Sequence, residues 1–140
     1  MTEDQNRQYV SRGLVLSHLS IILLVMILWV FHGFTFSEMT TTVALIVPMF
    51  ATYTATIVRS TIATRTRAIA TSSEVSKDYA LFSLLIPSVF VVCLFTATIL
   101  KAVNIGFDTF DQFKIVIGLL EGIFGVYTGL FVTALFPKVK

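Results

Sequence analysis

Four long apolar runs, separated by polar connections, dominate the chain. They cover about residues 14–31, 40–58, 79–100 and 113–136, each close to the roughly 20 residues that a helix needs to cross the hydrocarbon core of a bilayer. The pattern predicts an all-α polytopic membrane protein: one domain, residues 1–140, folded as a four-transmembrane-helix bundle. The first 13 residues, MTEDQNRQYVSRG, are polar and mixed in charge, with no small-residue cleavage site after them. The first run is therefore expected as a retained span.

Helix ends are legible at two places. Ser37 followed by Glu38 supplies a capping oxygen and an acid for the first turn of span two, where both complement the free amides of a helix N-terminus. Thr109 with Gln112 fits a capping box ahead of span four, the two side chains reaching each other's free amides. Pro48 in span two and Pro87 in span three each remove one helical hydrogen bond, freeing the carbonyls of Ala44 and Ser83 and introducing a kink.

Two runs carry stripes of small residues. In span four Gly118, Gly122, Gly125 and Gly129 fall at offsets 0, 4, 7 and 11, and in span two Ala44, Pro48, Ala51 and Ala55 repeat that spacing. Ile46, Phe50, Tyr53 and Ile57 occupy the opposite face of span two. Small residues at this spacing let helix backbones approach closely, which drives association in lipid. The stripes are read as helix-packing surfaces, between spans two and four or between subunits, and a homo-oligomer is expected.

Composition agrees with membrane residence. The chain is 56% hydrophobic and 13% charged, whereas soluble domains are about a quarter charged. A formal net charge of +2 is too small to point to nucleic acid, and its placement says more than its sum. Four spans put both termini and the 59–78 connection on one side, which then holds eight of the ten Lys and Arg, leaving Lys101 and Lys114 opposite. By the positive-inside rule both termini are cytoplasmic, in what is read as a bacterial inner membrane. Cys93, the single cysteine, lies in an apolar run and is expected as a small buried hydrophobe.

The 59–78 connection, RSTIATRTRAIATSSEVSKD, is rich in Ser and Thr and carries Arg59, Arg65, Arg67 and Lys77. It suits contact with anionic lipid headgroups or docking of a cytoplasmic protein partner.

Little else bears chemistry. No phosphate loop, metal-ligand spacing or nucleophile–base set occurs, so neither an enzyme nor a cofactor nor a metal site is expected. His18 and His32 fall near the ends of span one and read as interfacial residues. Glu121 is the exception, because a carboxyl at membrane depth faces a bundle interior or a wet cavity and marks function by default. With Thr96 and Thr128 it is expected to line a polar interior or pore, either protonated and hydrogen-bonded or ionised in water. No Arg or Lys on another span lies at its level. The leading expectation is a small oligomeric, ion-conducting or pore-type component. The alternatives are a non-conducting anchor or sensor that recruits a partner in a defence, immunity or signalling assembly, and a proton-coupled small-molecule transporter.

Overall fold

The computed structural model describes residues 3–65 and 77–135. The described chain is all-helical: α1 (Glu3–Val30), α2 (Phe36–Arg65), α3 (Lys77–Ala102) and α4 (Phe110–Leu135). Three of these are long and apolar enough to cross a membrane, over Gln8–Val30, Leu81–Ala102 and Phe110–Leu130. α2 is not among them over its described residues, with Glu38 in its first turn and threonines recurring along it. Thr40, Thr42 and Thr52 each turn their hydroxyl back onto a carbonyl one turn earlier, at 2.7–3.0 Å, which hides the polar group within its own helix.

α1 packs on α2 and α3, and α4 packs on the same two. The helices thus form a square in which α1 stands diagonally from α4, and α2 from α3. Two apolar clusters fill the centre. The larger holds Ile21, Val25, Phe34, Ile46, Leu94, Ala97, Phe113 and Ile117, towards the 31–35 and 103–109 connections. The smaller holds Val10, Leu14, Tyr53, Ile57 and Phe124, towards the chain termini. Outward positions such as Leu16, Leu23, Val92, Leu119 and Val126 are also apolar and more than half exposed. A surface this apolar suits lipid and not water.

α1 begins at Glu3, well ahead of the predicted start at residue 14. Its polar first turns are not a tail: Asn6 is fully buried, and Val10 and Leu14 join the smaller cluster. Both connections at the other end use the same stop. His32 (φ 65°) and Asn104 (φ 55°) adopt the left-handed conformation. The amides that follow them, Gly33 and Ile105, bond back to Leu28 and Leu100 at 2.8 and 2.9 Å, which satisfies carbonyls the helix end leaves open. Glycine at 33 is favoured by space, since a Cβ would lie 2.9 Å from Ala102 Cβ.

α2 starts two residues earlier than Ser37 implies. Thr35 is its cap, the Glu38 amide donating to Thr35 Oγ1 at 3.3 Å and the Thr35 amide to Glu38 Oε2 at 2.9 Å. Glu38 Oε1 also meets Lys101 Nζ at 3.1 Å, tying the start of α2 to the end of α3 across one diagonal. At the start of α4 the Gln112 amide donates to Thr109 Oγ1 at 3.3 Å as predicted, while the Gln112 side chain accepts from the Asp108 amide at 2.8 Å and not from that of Thr109.

Candidate functional site

The other diagonal is bridged in mid-bundle. His18 of α1 lies about 15 Å along its span from Gln8, and Glu121 of α4 about 17 Å from Phe110, at 1.5 Å per residue. Both sit near the middle of the apolar thickness. His18 Nε2 is 4.0 Å from Glu121 Oε1, and their side chains are 0% and 6% exposed. His18 is therefore no interfacial residue, and Glu121 has a basic partner at its own depth. Both corrections share one cause: α1 extends further towards the termini than its apolar run, which moves His18 from the edge of the span to its centre.

The pair forms a polar layer between the two apolar clusters, Leu14 and Phe124 lying on one side and Ile21 and Ile117 on the other. His18 is fixed from behind, with Nδ1 3.1 Å from the Leu14 carbonyl. A carbonyl can only accept, so Nδ1 carries a proton, and in the neutral ring this leaves the Nε2 lone pair facing Glu121. The Tyr53 hydroxyl donates to the same Leu14 carbonyl at 3.2 Å. Aromatic rings enclose the imidazole: Phe124 stacks at 5.3 Å, Phe50 at 6.3 Å, and Tyr53 meets it edge-on at 5.0 Å. The titratable groups of the layer are thus His18 from α1, Tyr53 from α2 and Glu121 from α4, while α3 contributes Phe90, packed on Phe124 at 5.5 Å.

Neither His18 Nε2 nor either Glu121 oxygen has a hydrogen-bond partner. A small rotation of either side chain brings the 4.0 Å separation within hydrogen-bond range. The pair can then hold one proton at zero net charge, as acid and imidazole or as carboxylate and imidazolium. A second proton makes the imidazolium with a neutral acid, a cation faced by stacked rings that attract it. The arrangement is suited to loading and releasing protons.

The other expected residues separate. Thr128 is buried on the Glu121 face of α4, its hydroxyl donating to Phe124 O at 3.0 Å. Thr96 lies on the outer face of α3 and does not join the polar interior; the threonine turned inward there is Thr98. Cys93, expected buried, is also on the outer face. Ala44, Pro48, Ala51 and Ala55 all face outward, as do Gly118, Gly122 and Gly129. The α2–α4 contact within one chain is made by bulkier residues, with Met49 lying over Gly125 so that a Cβ at Gly125 would collide with its methyl group. Arg67 lies outside the described residues, as do the side chains of Arg59, Arg65 and Lys77.

Ser83 brings a second polar group to the smaller cluster. Pro87 leaves the Ser83 carbonyl without its helical donor, and the Tyr127 hydroxyl donates to it at 3.3 Å. The Ser83 hydroxyl donates to Asn6 Oδ1 at 3.1 Å. Asn6 gave no signal in the sequence, because it sits in the segment read as a polar tail. Among the described residues no group of three or more His, Cys, Asp or Glu is placed to hold a metal ion. Comparison with protein-family models, curated proteins and solved structures finds no match, so the functional reading rests on these residues themselves.

Proposed function

We propose that this chain is a four-span integral membrane protein of the ion-conducting class, and that the ion it handles is the proton, loaded and released at His18–Glu121. The observation that carries the reading is the 4.0 Å approach of His18 Nε2 to Glu121 Oε1, with neither group otherwise bonded. Burying a carboxyl and an imidazole without hydrogen-bonding them is costly, and a purely structural role is served better by apolar side chains of like volume. Intramembrane acid–histidine pairs are suited to proton relay. The layers on both sides are packed with side chains, which disfavours a hydrated metal cation within one bundle and leaves the proton as the ion that needs no open bore.

Proton conduction and proton-coupled transport of a small molecule share this centre, and the first asks less of so small a bundle. α2 is read as the fourth span on its length and its self-bonded threonines, and the excess of positive residues on the terminal side supports cytoplasmic termini. Assembly into a homo-oligomer is supported by the outward small-residue stripes, where a Cβ at Gly118, Gly122 or Gly129 would meet nothing within 4 Å.

Reconstitution into liposomes with an enclosed pH dye and an imposed potassium diffusion potential tests the reading. Wild-type protein should admit protons, and Glu121→Gln and His18→Gln should each cut the flux at least tenfold while remaining folded. Flux that is absent from wild type, or unchanged in Glu121→Gln, refutes it.

A further inference from the structure

Polar atoms are distributed unevenly about the His18–Glu121 layer. Among the described residues, the buried side-chain nitrogens and oxygens without a hydrogen-bond partner are Asn6 Nδ2, His18 Nε2, Thr54 Oγ1 and both oxygens of Glu121. Three of the five belong to the layer. The other two, on Asn6 and Thr54, lie between the layer and the terminal end of the bundle. None lies on the loop side. Buried polar atoms without a protein partner are the places where a bundle interior holds water.

The hydroxyls divide in the same way. On the loop side, Thr98 Oγ1 donates to Leu94 O and Thr42 Oγ1 to Glu38 O, each at 2.7 Å within its own helix. Between them and the layer stand Ile21, Val25, Ile46, Leu94, Ala97 and Ile117, with no polar side chain to pass a proton. On the terminal side the polar groups reach between helices: Tyr53 to Leu14, Ser83 to Asn6 and Tyr127 to Ser83. The Leu14 carbonyl accepts from both Tyr53 and the back of the His18 ring, which fixes the two side by side on the terminal side of the layer without itself relaying a proton. Val10, Leu14, Ile57 and Phe124 pack as an apolar cluster on this side too, and these polar groups are set in and around it.

We propose that the His18–Glu121 centre exchanges protons with water on the terminal side of the bundle alone, along Tyr53, Thr54, Ser83 and Asn6, and that the loop-side cluster seals it from the opposite face. The proposal rests on the proton-binding reading above and adds the route and its sidedness. In this resting arrangement the loop-side cluster is the barrier that any through-conduction must open.

Cysteine accessibility tests it independently of flux. Single cysteines at Thr54, Ser83 and Ala97 are placed in a Cys93→Ala background and treated, in vesicles of each orientation, with a membrane-impermeant methanethiosulfonate. Thr54→Cys and Ser83→Cys should react at least tenfold faster from the face carrying the termini than from the loop face. Ala97→Cys should stay unreactive from both. Reaction of Ala97→Cys from the loop face, or no reaction at either terminal-side position in protein that elutes as folded, overturns the one-sided route. Because labelling reports water access and not transport, a loop-side reaction together with flux lost in Glu121→Gln would sink the route and leave the proton-binding centre standing. Flux indifferent to Glu121 would sink the centre itself.

Discussion

His18 Nε2 and Glu121 Oε1 face each other at 4.0 Å across the α1–α4 diagonal, where the two helices meet through side chains, His18 also stacking on Phe124. The pair is therefore a polar link between two helices whose other contacts are apolar side chains. A double-mutant cycle with His18→Gln and Glu121→Gln, read by unfolding in detergent, should return a coupling energy of about 1–3 kcal/mol, as for residues in direct contact. A coupling near zero would mean that the two groups are independent. His18→Ala should be worse than either, by about 2–4 kcal/mol, because it also empties the ring's place among Phe50, Tyr53 and Phe124.

The second diagonal is tied at the loop end by Lys101 and Glu38. Burial alone would raise the Glu38 carboxyl, but the Thr35 amide, the Lys101 ammonium and the Thr35 hydroxyl outweigh it and hold it below its ordinary value of 4.5. A carboxyl depressed by folding contributes stability above its unfolded value, and that stability is lost as pH falls through the folded one. The melting temperature should thus decline below about pH 4.5. Lys101→Met should flatten that decline and remove about 1 kcal/mol at neutral pH. An acid limb identical in Lys101→Met would show that the pair does not contribute.

The four-helix order, the Thr109–Gln112 cap and the carbonyl freed by Pro87 were all legible in the sequence, because each depends on neighbours a few residues away. His18 was not, because its depth depends on where α1 begins, and the polar residues Asn6, Gln8 and Ser11 concealed helix. The small-residue stripes were found but their direction was not, since spacing fixes which residues share a face and not which way that face turns. Bulk decided it: Ile46, Tyr53 and Ile57 fill the interior, and the alanines of α2 are left outside.

Two glycines separate the demands made within the chain from those made between copies of it. At Gly33 a Cβ would lie 2.9 Å from Ala102 Cβ and 3.2 Å from two carbonyl oxygens, so Gly33→Ala should destabilise by about 1–3 kcal/mol through overpacking. At Gly122 a Cβ would meet nothing within 4 Å, and Gly122→Ala in a monomer should gain up to about 1 kcal/mol of helix propensity. Melting of both variants in detergent checks the contrast. A loss in Gly122→Ala that appears only in the oligomeric fraction would locate the glycine stripe at a subunit contact.

Tyr127 and Pro87 offer a conditional test of the α3–α4 contact. The Tyr127 hydroxyl sits 3.3 Å from the Ser83 carbonyl, which accepts it because Pro87 has no amide to offer. Tyr127→Phe should therefore destabilise by about 0.5–1.5 kcal/mol, the ordinary net worth of a hydrogen bond. In a Pro87→Ala background the Ser83 carbonyl regains its helical donor, and the hydroxyl keeps only its longer approach to the Phe82 carbonyl, at 3.4 Å. The same Tyr127→Phe change should then be close to neutral. If its effect is as large with alanine at position 87 as with proline, the hydroxyl is held by something other than the carbonyl that the proline frees.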